Sequence, residues 1–319
     1  MKKLRVGVIG VGYLGKFHAE KYAQMDNVEL VGVVDVNGGQ AKEVAQKIGT
    51  TAYSDYRDLF GKVDAVSVVV PTFAHFDVGR AFLERDVDVL IEKPITTTVE
   101  EADNLIRFAD SRGLILQVGH LERFNPAVVA LEDIVNVPRF IESHRLSIFK
   151  PRGIDVSVVL DLMIHDIDII LNFVKSEVTD IRAAGTTVIT HEVDIANARL
   201  EFENGCVANV TASRISTKNE RKIRLFQRDA YISVDFANHE ITVVRQSQNG
   251  RDGLIPGMEL NQLCFAKGDA LEAEIRAFVT SVMTRSTPEV SGKVGRDALK
   301  IALSIMDQIS STHHRFLNA

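Results

Sequence analysis

The stretch "VVLDLMIHDIDIIL", residues 158–171, sets Asp161, His165, Asp166 and Asp168 among Val, Leu and Ile. A carboxylate beside an imidazole is the pairing that orients a general base and lets it take a proton from a substrate hydroxyl. At about 100° per residue, Ser157, Asp161, His165, Asp168 and Asn172 share one helical stripe, while Asp166 points away from it. Aliphatic residues cover most of the rest, so the segment is expected to be buried. Burying an unpaired charge is expensive, and the stripe therefore needs partners. Either Asp161 merely holds His165 inside a satisfied structural network, or the stripe is one wall of an active site.

A second set of chemistry-bearing residues lies near the start. "VGVIGVGYLGKFHA" spells Gly10-x-Gly12-x-x-Gly15 directly after a strand-like run and at the opening of a helix. Gly10 permits the tight turn, Gly12 lets the backbone approach a pyrophosphate, and Gly15 allows close helix–strand packing. The turn Gly10–Gly15, with Tyr13 and Leu14 in it, then presents a helix N-terminus to the phosphates. The next strand-like run ends in Asp35, with no arginine close behind. An acid there accepts from a ribose 2′-hydroxyl and repels a 2′-phosphate, which predicts NAD in preference to NADP.

Open parallel sheets bind ligands beyond the carboxyl ends of their strands. "DAVSVVVPTFAH" ends there in Val70, Pro71, Thr72 and His75, and "VDVLIEKPI" ends in Glu92, Lys93 and Pro94. All of these are expected around the cofactor. A lysine beside a nicotinamide would lower the pKa of a substrate hydroxyl and stabilise a developing alkoxide. Taken alone, Lys93 also reads as a surface lysine after a strand, and His75 as a capping or packing residue. Pro94 restricts Lys93 to extended geometry and admits a cis bond. His18, His120, His144 and His191 carry no catalytic argument and are assigned structural roles.

These residues need elements to hold them. The runs "LRVGVIG", "VELVGVVD", "DAVSVVV", "VDVLIEK" and "LILQVG" alternate with helix-like segments, the rhythm of a parallel sheet covered on both faces. After Gly119 the pattern changes. "RFNPAVVALEDIV" starts a helix with Asn125 as its cap and Pro126 at the first position. Beyond Val178 the alternation is antiparallel, with Asn204-Gly205 as a hairpin turn inside "ANARLEFENGCVANVTASRIS". "KIRLFQRDAYISVDFANHEITVVRQ" adds two or three strands, residues 247–262 read as an exposed loop, and residues from about 269 to 315 return to helical periodicity. The expected fold is α/β: a Rossmann dinucleotide-binding domain over residues 1–121, then an α+β domain over 122–319 with a large, mostly antiparallel open sheet. The C-terminal helices are free to pack back on the first domain. If the free face of that sheet carries Leu200, Phe202, Val207 and Val210, a homodimer or homotetramer would cover it.

Net charge is −6 and no Lys/Arg-rich run occurs, which argues against nucleic-acid or anionic-membrane partners. Cys206 and Cys264 have no ligand spacing, so no metal site is expected and the composition fits a reducing cytoplasm. "MKKLRVGVIG" reads as a first strand and not a signal peptide; no stretch reads as a membrane span.

Together, "GVIGVGYLGKFHA", the strand-end "EKP" and the D-x-x-x-H-x-x-D spacing of Asp161, His165 and Asp168 resemble the Gfo/Idh/MocA oxidoreductases through nearly the whole chain. The resemblance implies NAD(P)-dependent oxidation of a sugar, inositol or nucleotide sugar. It makes Lys93 and His165 the catalytic pair across the nicotinamide, supported by Asp161. Two departures fall close to the substrate: Val70-Pro71-Thr72 stands where many members have T-P-N, and "LMI" stands between Asp161 and His165 where many have a glycine. "VGHLERFNPAVVAL", "KPRG" and "VVLDLMIHDIDIIL" further resemble a branch that oxidises the 3-hydroxyl of UDP-N-acetylglucosamine. Its 3-keto product goes to a partner aminotransferase, on the way to 3-amino sugars of lipid A-like glycans. On that likeness Arg123, Asn125, Lys150 and Arg152, with Lys93, Asp161 and His165, are the candidates for binding the substrate, arginine being suited to phosphate oxygens. Their other reading is as ordinary surface or capping residues. Other sugars, or a non-enzymatic NAD-binding regulator, are the alternatives.

Overall fold

The computed structural model describes residues 3–151, 153–247, 257–266 and 268–317. The chain divides into two units, Met1–Leu121 with Asp269–Leu299, and Glu122–Gly268 with Lys300–Ala319.

In the first unit the β-branched runs become the parallel strands β1 (Leu4–Ile9), β2 (Val28–Val34), β3 (Thr51–Tyr53), β4 (Ala65–Val68), β5 (Asp88–Glu92) and β6 (Leu116–Gly119). The helices between them are α1 (Gly15–Ala23), α2 (Gly38–Ile48), α3 (His75–Leu83) and α4 (Val99–Arg112). Sheet order is β3-β2-β1-β4-β5-β6, so the order reverses between β1 and β4, where doubly wound sheets open a ligand crevice. Local chemistry sets the helix ends. Asn37 caps α2 by accepting from Gly39 and Gln40 N–H, and Thr98 and Glu101 form a capping box on α4. Val6, Val8 and Val33 meet Ala19 and Tyr22 of α1 and Ile275, Phe278 and Val279 of α7 (Ala270–Thr284) in one buried cluster. β3 is the strand the sequence pattern did not reveal. It is three residues long and pairs only with β2, too short to show a period.

The second unit opens with α5 (Pro126–Leu131), capped by Asn125 through Ala127 N–H with Pro126 in its first turn, as expected. The strands β7 (Pro138–Leu146), β8 (Val178–Thr186), β9 (Ile195–Phe202), β10 (Val207–Ser213), β11 (Glu220–Gln227), β12 (Ala230–Asp235), β13 (Glu240–Gln246) and β14 (Met258–Cys264) form one sheet. Its order among the described residues is β14-β13-β12-β11-β7-β10-β9-β8, antiparallel except for the β7–β10 pair. The β9–β10 hairpin turns at Asn204-Gly205, with Gly205 at φ +81°. The mostly antiparallel open sheet is therefore present, and the overall α/β class holds.

Two expectations are corrected. The stretch read as a loop over 247–262 contains β14, hydrogen-bonded to β13 along its length; residues 248–256 lie outside the described part. It is an edge strand exposed at every position, Met258, Leu260 and Leu263 included, so no buried face marks it out. Second, Leu200, Phe202 and Val210 do not sit on a free face. They are buried with Ala196, Ala198, Ala208 and Ala212 on the side where α6 (Ile164–Val174) packs, and only Val207 alternates to the other side. Small alanines there let a helix approach the sheet closely. The opposite face carries the ring row Phe140, Phe226 and Tyr231 and the ion pairs Arg224–Glu142 and Lys222–Asp235. Among the described residues no helix is long and apolar enough to cross a membrane. α8 (Gly292–Leu317) ends the described chain.

Candidate active site

At the carboxyl end of the first sheet, β1 runs into the glycine turn. Gly10 has φ +86°, and a Cβ there would lie 2.5 Å from the Val69 carbonyl oxygen. A Cβ on Gly15 would lie 1.9 Å from the Gly10 oxygen, so both glycines are required by the protein itself. Gly12 differs: a Cβ on it meets nothing within 4 Å. The fold has no need of that glycine, whereas a pyrophosphate laid along the turn would. No side chain caps α1, which follows, and its first turn holds no acid. Asp35, at the end of β2, braces the turn. Its two oxygens accept from Val11 N–H and Asn37 N–H, at 2.9 Å each. Tyr13, Val36 and Phe73 present exposed apolar surface beyond the same strand ends. Turn, acid and apolar rim together fit a dinucleotide.

The next strand ends are tied together by a histidine. The ring of His75, at the start of α3, is buried, with Nε2 2.8 Å from the Val70 carbonyl and Nδ1 2.9 Å from the Pro94 carbonyl. Burial lowers its pKa, against the opposing pull of those two carbonyls. The ring thus fixes the turns after β4 and β5, and it faces backbone. Pro71 and Thr72 open a short 3-10 turn before α3. Lys93 is half-buried and is joined to Pro94 by a cis peptide bond. Glu92 turns into the protein: its Oε1 is 3.1 Å from His18 Nε2, and its Oε2 accepts from Lys93 N–H at 3.3 Å. Gly119 of β6 makes room for this carboxylate, since a Cβ there would lie 2.7 Å from Oε1. His18 Nδ1 and Tyr22 OH both reach Ser67 Oγ, at 3.3 and 2.8 Å.

The second unit sorts the acids of residues 158–171 into two groups. Asp166 and Asp168 are buried and paired. Arg145 grips Asp166 with Nε and Nη2 at 2.8 and 3.0 Å and reaches Glu122 at 3.1 Å. Burial works against the Arg145 charge, but the two carboxylates more than compensate and raise its pKa. The same arginine, with Arg221, lowers the Glu122 carboxyl against the upward push of burial. Arg123 Nε donates to Asp168 at 3.0 Å, with both residues nearly inaccessible. Asp168 of the stripe, and Asp166 off it, therefore belong to buried ion-pair networks. Asp161 and His165 are half-buried instead. Asp161 lies in a π turn, Val159–Met163, and His165 in the first turn of α6. The wider i→i+5 turn breaks the uniform phase that the sequence implied between them. Gly153, at φ +67°, approaches the Asp161 carboxylate so closely that a Cβ would lie 3.3 Å from Oδ2.

The Gly153 segment is held by residues that the sequence did not single out. Arg214 donates through Nη1 to Gly153 O at 2.8 Å and through Nη2 to Val156 O. Beside it, Asp194 gathers N–H bonds from Val188, Ile189 and Thr190 and the Thr190 hydroxyl. Burial pushes the Asp194 carboxyl up, yet these donors outweigh it and hold the pKa at about 2. Of the predicted substrate residues, Arg123 is engaged with Asp168, Asn125 caps α5, and Lys150 is exposed. Arg152 lies outside the described residues.

The family model for an oxidoreductase family with an NAD-binding Rossmann fold matches residues 4–120, and the GFO/IDH/MocA C-terminal domain matches residues 138–233. The chain belongs to the GFO/IDH/MocA oxidoreductases. It is a dehydrogenase that uses a nicotinamide cofactor. Among its relatives is a UDP-N-acetylglucosamine 3-dehydrogenase of Acidithiobacillus ferrooxidans, 41% identical, covering 96% of this chain and 97% of that one. A solved structure of that enzyme superposes with a TM-score of 0.91 at 39% identity, over 98% of this chain and 99% of the other. A myo-inositol 2-dehydrogenase of Thermotoga maritima is 27% identical over 93% of each chain.

Proposed function

We propose that this protein oxidises the 3-hydroxyl of UDP-N-acetylglucosamine to a ketone, with NAD as hydride acceptor. The observation that carries the substrate is the likeness to the Acidithiobacillus enzyme along almost the entire length of both chains.

In this reading the Gly10–Gly15 turn holds the cofactor pyrophosphate and Asp35 the adenosine ribose. Each Asp35 oxygen accepts one backbone N–H and keeps a further lone pair for a ribose hydroxyl. A 2′-phosphate would meet the same carboxylate, which favours NAD over NADP. A nicotinamide held there would supply the acceptor for the hydride of C3. His165 accepts the proton of the 3-hydroxyl, and Lys93 stabilises the oxygen as its negative charge develops. Asp161 orients the imidazole and favours its charged form. The C3–H electron pair leaves as hydride, the O–H proton goes to the imidazole, and the carbonyl forms. Lys150 and Arg152 remain the candidates for the UDP diphosphate. The ketone is the substrate class of an aminotransferase, which would place the pair in the cytoplasm ahead of a 3-amino sugar of lipid A-like glycans. A second copy against the Phe140–Phe226–Tyr231 face would give a homodimer or homotetramer.

NADH absorbance on purified protein given NAD and UDP-N-acetylglucosamine, with an aminotransferase and glutamate to draw off the ketone, tests the proposal. Sugar-dependent growth of the signal that collapses in Lys93→Met, with NAD still bound, is the expected result. Turnover surviving that substitution within a few-fold would remove the lysine from the chemistry. The myo-inositol relative supplies the second reading: turnover with an inositol and none with UDP-N-acetylglucosamine would keep the mechanism and replace the substrate.

A further inference from the structure

We infer that Glu274 of α7 is a positioning residue: a buried, protonated carboxylic acid that fixes Glu92 and, through Glu92, the backbone at Lys93. This rests on the function proposed above, in which Lys93 stabilises the reacting oxygen.

Glu274 is 0% exposed, and neither carboxyl oxygen has a hydrogen-bond partner among the described residues. One oxygen each from Glu274 and Glu92 and a ring nitrogen of His18 all lie within 4.8 Å of one another. The polar groups around Glu274 are His18 and Tyr22 from α1, Glu92 from β5 and Gln117 from β6, and Ser67 of β4 stands behind them as partner of His18 and Tyr22. Gln117 spends its amide N–H on the Glu274 backbone carbonyl. Lys21 of α1 pairs with Asp269 and Glu272.

Two carboxylates this close, in a site without water's dielectric, do not both ionise; one keeps a proton. Glu92 is suited to carry the charge, since it accepts from Lys93 N–H and stands beside His18. Glu274 has no donor to stabilise an anion, and burial reinforced by the Glu92 charge raises its pKa well above the ordinary carboxyl range. A protonated Glu274 offers an O–H to Glu92 through one buried water. It thereby holds the carboxylate over the Gly119 Cα, with the Lys93 N–H bond intact. Ionising Glu274 would repel Glu92 and release that bond. The same three residues also read as ligands for a divalent cation, but both nitrogens of His18 already face Ser67 and Glu92.

Full-length wild type, Glu274→Gln and Glu274→Leu decide the matter. The amide of glutamine keeps the shape and the neutral donor. A carboxyl that ionises near about pH 4.3 when unfolded but far higher when folded gives stability that is whole below the lower value and is lost as pH rises through the upper one. The Glu274→Gln thermal midpoint should therefore gain on wild type as pH rises from about 5 toward the alkaline side, and the gain should vanish at about pH 4. A midpoint difference that is flat across this range overturns the protonated state. A wild-type midpoint that falls with EDTA and recovers with Zn²⁺, together with a destabilised Glu274→Gln, overturns it in favour of a cation site. For positioning, Glu274→Leu should lose roughly tenfold or more in kcat with little change in KM for NAD, and Glu274→Gln should restore most of it. Equal kcat in Glu274→Leu and wild type overturns the positioning role. Absence of turnover in wild type strikes the function proposal and the positioning role with it, while the midpoints still settle the protonation state on their own.

Discussion

Asp194→Asn isolates a carboxylate that braces the ground around Asp161. The Asp194 side chain is 0% exposed, and it takes three backbone N–H bonds from the 188–190 turn. Its carboxyl is held at about 2 against an ordinary 3.8. At about 1.4 kcal/mol per pKa unit, that depression corresponds to about 2 kcal/mol of stability at neutral pH. Solvent screening takes little from a side chain this enclosed. The sign follows from a folded pKa below the unfolded one: the contribution is complete above about pH 4 and is lost as pH falls through about 2, with about half remaining at about pH 3. Asparagine keeps one acceptor oxygen but turns an NH₂ toward the same donors. Urea unfolding of wild type and Asp194→Asn, followed by circular dichroism at about pH 7, 5 and 3, should show a deficit of about 2 kcal/mol at the two higher values that shrinks by about half at the lowest. A deficit identical at all three would mean that the loss is steric. No deficit at neutral pH would mean that the N–H bonds add nothing beyond what water supplies, and the reasoning would fail outright.

Two further substitutions separate ligand-binding roles from structural ones. Gly12→Ala meets nothing within 4 Å and should leave the thermal midpoint unchanged while NAD affinity, by fluorescence titration, falls roughly tenfold or more; Gly15→Ala, 1.9 Å from the Gly10 oxygen, should destabilise the first unit instead. Equal effects of both on stability would contradict the division of labour between these glycines. Arg123→Ala strands a buried Asp168 carboxylate and should cost about 3–5 kcal/mol in denaturant unfolding. A raised KM for the nucleotide sugar with stability intact would instead return Arg123 to the substrate.

What the sequence made legible and what it hid divide along the reach of each interaction. The glycine turn, the capping of α5 by Asn125 and the Asn204-Gly205 hairpin are decided within a few residues, and their signals are local. The strands β1, β2, β4, β5 and β6 are likewise legible as β-branched runs, whereas β3 is only three residues long and the edge strand β14 is exposed on both faces. The stripe of residues 157–172 shows how far periodicity alone reaches. A helical wheel assumes one phase, and the π turn at Val159–Met163 interrupts it just where Asp161 sits. The wheel also cannot name partners: Arg123 lies 45 residues before Asp168, and Arg145 lies 21 before Asp166, with nothing in either local sequence to announce the pairing. Glu274 is the extreme case. In "ALEAEIRAF" it reads as one more charged residue on an amphipathic helix, and only the packing of α7, where Gln117 of β6 reaches its backbone from 157 residues away, turns it inward. An acid that the fold buries with no hydrogen-bond partner among the described residues carries an energetic cost that packing alone does not require. That makes Glu274 a sharper pointer to function than the glycine motif, which announces a nucleotide but says nothing of how Lys93 is held.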